Sequence, residues 1–148
     1  MINRFNFARI SLIPLFAIVT LLQLFSLPGQ FAHMRRESGI SLVIEIALTL
    51  TFASLIVCAQ LSIFSLWKLI GHMKAGTFYS PGSYNWMNRL VAYLRAAIAF
   101  PIILILIIAP QADDPGVLVL LTAILLFLVN LYLFSSLLRD QIQRNPAQ

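Results

Sequence analysis

Few residues of this chain are equipped for chemistry. Its acids are Glu37, Glu45, Asp113, Asp114 and Asp140, and its histidines are His33 and His72. Glu45 lies inside a long apolar run, as do Gln23, Gln60, Arg95 and Asn130. A polar group in such a run costs free energy unless partnered, so each is a candidate for ion passage, proton relay or helix pairing. Material for covalent or acid–base catalysis is thinner. There is no H-E-x-x-H, no G-x-S-x-G, no phosphate-binding glycine loop and no pair of acids within one apolar run. The two histidines fall in different connections, and the lone Cys58 has no metal-ligand spacing and reads as a small packing residue. No catalytic residue, metal or cofactor is expected.

A second group is basic and aromatic. The stretch WKLIGHMKAGTFYSPGSYNWMNRL, residues 67–90, holds Lys68, His72, Lys74 and Arg89 and no acid. Trp67, Phe78, Tyr79, Tyr84 and Trp86 are interleaved with them. Such a pattern suits a headgroup-level membrane turn. It also suits a docking surface for anionic lipid or for a soluble protein. The adjacent Asp113 and Asp114 are too few for a cation site. Asp114 instead stands where a helix N-cap belongs, with Pro115 at the favoured first helical position.

These residues must be positioned by elements that the composition constrains. The chain has 148 residues, of which 60% are hydrophobic and 10% charged, with a net charge of +5. Soluble domains are near 45–50% apolar and about 25% charged. A mean hydropathy of +0.91 makes lipid the solvent for much of the surface. Four apolar runs approach or exceed the roughly 20 helical residues a bilayer needs, at about 10–27, 40–61 (the helix able to continue to 70), 90–109 and 117–138. None alternates with period two, so helices rather than a barrel are expected. The first run is long for a signal peptide, and no A-x-A site follows it.

Lys and Arg concentrate on the N-terminal flank (Arg4, Arg9), the second connection (Lys68, Lys74, Arg89) and the C-terminal flank (Arg139, Arg144). The positive-inside rule then puts both termini in the cytoplasm, with Arg35 and Arg36 dissenting. The expected fold is an all-α, up-down-up-down bundle of four transmembrane helices forming one membrane domain over residues 1–148, with a cytoplasmic hairpin at 71–88 and a polar tail at 139–148.

Depth along these helices sorts the polar groups. Gln23 and Glu45 form an outer layer; Gln60, Arg95 and Asn130 form an inner one. Arg95 either snorkels to the headgroups or joins an interhelical network with Gln60 and Asn130. Glu45 reaches the outer interface, pairs with Arg35 or Arg36, or titrates as a proton or cation site. Ser54, Cys58 and Ser62, four residues apart, allow close helix approach, and Pro101 introduces a kink in the third helix.

QLSIFSLWKLIGHMKAGTFYSPGSYNW resembles the signature of domain-of-unknown-function family 2975, small bacterial four-span membrane proteins. The likeness rests on Gln60, the Trp67-Lys68-Leu69 run, the basic spacer with Lys74 and Gly76, and Phe78 followed by Ser80. ADDPG, at 112–116, is also similar, and the likeness covers about residues 40–140. The first connection is shorter than in many relatives. The resemblance brings no catalytic residues. It implies a context, in which such proteins are encoded beside a small helix-turn-helix regulator.

Two functional expectations follow. The first is a non-enzymatic regulatory or interaction protein of the bacterial inner membrane, without direct nucleic-acid binding. It binds a cytoplasmic regulator through Trp67, Lys68, Lys74, Phe78, Tyr79 and Arg89. The second is a homo-oligomeric transport or ion-permeation component using Gln23, Glu45, Gln60, Arg95 and Asn130. A membrane enzyme or stress factor acting on lipids is a third and weaker reading. On the second reading, Glu45→Gln abolishes a pH-dependent flux measured in vesicles, whereas on the first it leaves every flux unchanged.

Overall fold

The computed structural model of the chain describes residues 2–26, 41–111 and 115–144, with the single positions 29, 33, 36 and 39 between the first two segments. Among the described residues there are helices and no strand. Helix α1 is Ile2–Leu21, prolonged by a π-helical turn at Leu22–Ser26. Helix α2 is Leu42–Lys74, and α3 is Pro81–Ile108, prolonged by a 3-10 turn at Ala109–Gln111. Helix α4 is Pro115–Arg144. All four are long and apolar enough to cross a membrane, as expected of a multi-pass membrane protein.

The helices outrun the apolar runs that mark them in the sequence. Helix α2 continues through His72 and Lys74, and α3 begins at Pro81, well before residue 90. The hairpin expected at 71–88 therefore narrows to a turn at 75–80. The reason is local. Lys, His, Asn and Tyr weaken hydropathy without breaking a helix, whereas Gly76 and Pro81 punctuate the backbone.

Helix α3 is the centre of the packing. Its buried residues include Ser83, Met87, Leu90, Leu94, Ala97, Pro101 and Leu104, which alternate steps of four and three. That is the seven-residue repeat of a knobs-into-holes seam. The neighbours answer it. Leu48, Ser62 and Leu69 on α2, and Leu121, Ser135 and Ile142 on α4, are buried at multiples of seven. One core cluster holds Leu69, Met87, Leu90, Leu94 and Ile142; another holds Leu48, Leu104 and Leu121. The clusters run α2 and α4 antiparallel to α3. Pro101 removes the donor for the Ala97 carbonyl inside this seam, where both residues are buried, and the helix carries on to Ile108.

Helix α1 packs on α2. Lys74 Nζ donates to Asn6 Oδ1 at 2.9 Å near one end, and Gln60 Nε2 donates to Thr20 Oγ1 at 3.0 Å further along, so this pair is antiparallel too. The remaining surface is apolar, as lipid requires; Phe7, Phe25, Val43 and Leu106 are among its most exposed side chains.

The seam gives a stability test. Leu104 is fully buried and Leu106, two residues on, is 70% exposed. Leu104→Ala should cost about 2 kcal/mol, at the low end for core Leu→Ala changes. Leu106→Ala should cost little, because lipid does not penalise an exposed apolar side chain. Unfolding in mixed detergent micelles, followed by circular dichroism, measures both.

Candidate functional site

The basic and aromatic residues gather at the α2–α3 turn and on the helix ends below it. The turn is closed by backbone chemistry. Gly76 has φ of +70°, the left-handed conformation that ends a helix. The Gly76 N–H donates to the Met73 carbonyl at 3.2 Å, and the Thr77 N–H to the His72 carbonyl at 2.9 Å. These two bonds make a Schellman motif. His72 Nδ1 lies 3.0 Å from Thr77 Oγ1 and braces it. Ser80 then caps α3, its Oγ accepting from the Ser83 N–H at 3.3 Å, with Pro81 in the first turn. Gly82 lies close under the same histidine, where a Cβ would stand 3.3 Å from His72 Cε1.

This folded turn divides the expected docking residues into two sets. Phe78 packs on the core cluster around Leu69 and Met87, and meets Tyr79 edge-on at 5.4 Å between ring centres. Tyr79 is exposed. Lys74 is exposed and holds Asn6. One to three turns into the helices lies the second set. Lys68 Nζ lies 5.4 Å from the centre of the Phe64 ring and 5.8 Å from that of Trp86. Arg89 lies over Trp86 at 4.7 Å, and Phe64 meets Trp86 edge-on at 5.6 Å. Arg9 of α1 lies over Trp67 at 4.6 Å. Sequence reasoning counted Arg9 only as an orientation charge. Its place in this layer follows from the α1–α2 register, which no local pattern encodes.

The intramembrane polar residues are spread over different faces. Gln60 points to α1 and donates to Thr20. Asn130 Nδ2 donates to the Leu126 carbonyl of its own helix at 2.8 Å, and Arg95 is exposed. The network of Gln60, Arg95 and Asn130 that depth alone permits is not formed, because a shared height does not give a shared face. Gln60 sits near the middle of α2. Gln23 is half-buried in the π-helical turn. Glu45 is half-buried in the first turn of α2, where the helix N-terminus favours a carboxylate. Ser54 and Ser62 donate to backbone carbonyls four residues back, and Ser62 is buried. Pro115 opens α4, while Asp114, its expected cap, lies outside the described residues, as do Asp113, Arg35 and Glu37.

Among the described residues, apolar cavities open between the helices, of which two are well formed. The larger, about 460 Å³, draws its walls from all four, including Val19, Ser62, Leu94 and Leu131. The smaller is a groove of about 220 Å³ between α1 and α2, walled by Leu12, Phe16, Phe64 and Trp67 among others. Among the described residues no three His, Cys, Asp or Glu side chains group as metal ligands. Comparison with family models, with curated proteins and with solved structures gives no match.

The Gln60–Thr20 bond is one of two polar locks described between α1 and α2, and the one that lies near the middle of α2; Lys74–Asn6 is the other. Interhelical hydrogen bonds in membranes average about 0.6 kcal/mol and reach about 1.7. A double-mutant cycle with Gln60→Leu and Thr20→Val should return a coupling in that range. A coupling of zero would remove the lock.

Proposed function

We propose that this chain is a non-enzymatic interaction protein of the bacterial inner membrane, spanning it four times with both termini in the cytoplasm. Its α2–α3 turn is the docking surface for a soluble cytoplasmic regulator. The observation that carries this reading is the construction of the turn. Capping bonds at both helix ends and the His72–Thr77 brace hold six residues in one shape. Phe78 anchors the turn to the core and leaves Tyr79 exposed beside it. A preorganised aromatic residue at the tip loses little freedom on binding, which is the property of an interface anchor. The basic flank around it favours an acidic partner surface and faster encounter. The positive-inside distribution of Lys and Arg supports the orientation. The resemblance to domain-of-unknown-function family 2975 supports a small helix-turn-helix regulator as the partner.

The permeation reading draws less support, since Gln60, Arg95 and Asn130 face different ways.

Crosslinking of the tagged protein in its native membrane, followed by mass spectrometry, tests the proposal. A soluble DNA-binding protein should be captured by the unaltered chain. Its capture should fall about tenfold with Tyr79→Ala, the loss typical of an aromatic anchor. Membrane insertion should be unchanged. Recovery of nothing but further copies of the chain, equally from both samples, would transfer the assignment to an oligomeric permeation component.

A further inference from the structure

We propose that Arg9, Lys68 and Arg89 together hold the phosphate of an anionic glycerophospholipid, one acyl chain of which lies in the groove between α1 and α2. Three helices each send one cation to this layer, and each cation rests on an aromatic ring. Among the described residues none of the three has a carboxylate within ion-pair distance; the pair the structure does describe is Arg139 with Asp140. Arg9 Nε is buried without a hydrogen-bond partner, a donor still to be satisfied. Gathered positive charge of this kind is relieved by a phosphate, which accepts charge-assisted hydrogen bonds from Arg and Lys.

The groove identifies the rest of the ligand. The ring under Arg9, Trp67, and the ring under Lys68, Phe64, are themselves walls of the groove. Arg9 and Lys68 therefore stand at the lip of an apolar slot, and Arg89 is tied to them through the Trp86 ring that it shares with Lys68. At about 220 Å³ the slot is below the size of pockets for compact ligands, and its apolar walls, about one helical turn long on each of two helices, fit a segment of a hydrocarbon chain. A free anion would leave the slot unfilled. A zwitterionic lipid would bring its own cation among three others. An acidic peptide would have to enter beside the exposed, lipid-facing Ile13 and Phe16. Anionic lipid satisfies both halves of the site.

The chain contains two tryptophans, Trp67 and Trp86, and both belong to this layer. Their fluorescence reports on it without labelling. The full chain is reconstituted in phosphatidylcholine vesicles carrying a fixed fraction of bromine-labelled phosphatidylglycerol or, separately, bromine-labelled phosphatidylcholine. Quenching by the brominated anionic lipid should be stronger. Lys68→Gln and Arg9→Gln should each weaken that preference about fivefold, the effect of one basic residue at an anionic surface. Lys68→Arg should keep it. Arg144→Gln removes the same charge at the C-terminal end of α4, at the same end of the bundle but outside the layer, and should leave it unchanged. Equal quenching by the two lipids overturns the proposal, as does an equal loss in Arg144→Gln, which would mean diffuse surface attraction. Displacement of the brominated lipid by soluble glycerol phosphate also overturns it, since the chain would then add nothing. Circular dichroism checks that each variant is folded. Should Lys68→Gln and Arg9→Gln both fail to fold, the comparison of Arg144→Gln with the unaltered chain still decides between a site and a diffuse field.

Discussion

Everything in this molecule leans on one seam of α3. Ser83, Met87, Leu90, Leu94, Ala97, Pro101 and Leu104 repeat every seven residues and are buried. Lipid offers helices no hydrophobic incentive to associate, so close packing of small and medium side chains must hold them. The seam supplies it. Buried serines on α2, α3 and α4 let backbones approach, and Ser62 and Ser65 turn their hydroxyls back onto their own helix. The contact between helices is thus mainly one of shape, and polar locks are few.

A seam that repeats every seven residues does not by itself choose a register, because a shift of one heptad presents the same pattern again. The choice falls to the turn at 75–80. Its Schellman motif and serine cap set where α2 stops and α3 starts, and so which knob meets which hole. Rigidity of the turn and alignment of the core are one property. The same alignment brings Trp86 of α3 beside Phe64 and Lys68 of α2, and thereby assembles the cationic layer.

Much of this was legible in the residues. Sustained apolar runs marked four helices, because hydropathy over some twenty residues is a strong signal. The ends were less legible. His72, Lys74, Tyr84 and Asn85 are polar enough to end an apolar run yet remain helical. The 1.5 Å rise orders residues along one helix but gives neither register nor direction. The Lys74–Asn6 and Gln60–Thr20 bonds put Gln23 about level with Val57, well away from Glu45, its expected layer partner. Gln60 and Asn130 share an approximate height, but one turns to Thr20 and the other to its own backbone. The role of Arg9 was hidden for the same reason, since it depends on which face α1 turns to Trp67. The heptad of α3 was present in the sequence all along, masked by apolar residues on its other faces that lipid tolerates.

Helix α2 is unusually long. Its 33 residues extend about 50 Å, and the stretch from Leu42 to Trp67 alone is about 39 Å, against a hydrocarbon core of about 30 Å. A helix too long for its bilayer tilts. Tilt of α2 cannot stay private, because the turn fastens it to α3 and the seam fastens α3 to α4. Matching α2 to its bilayer is therefore a task for three helices together rather than for one.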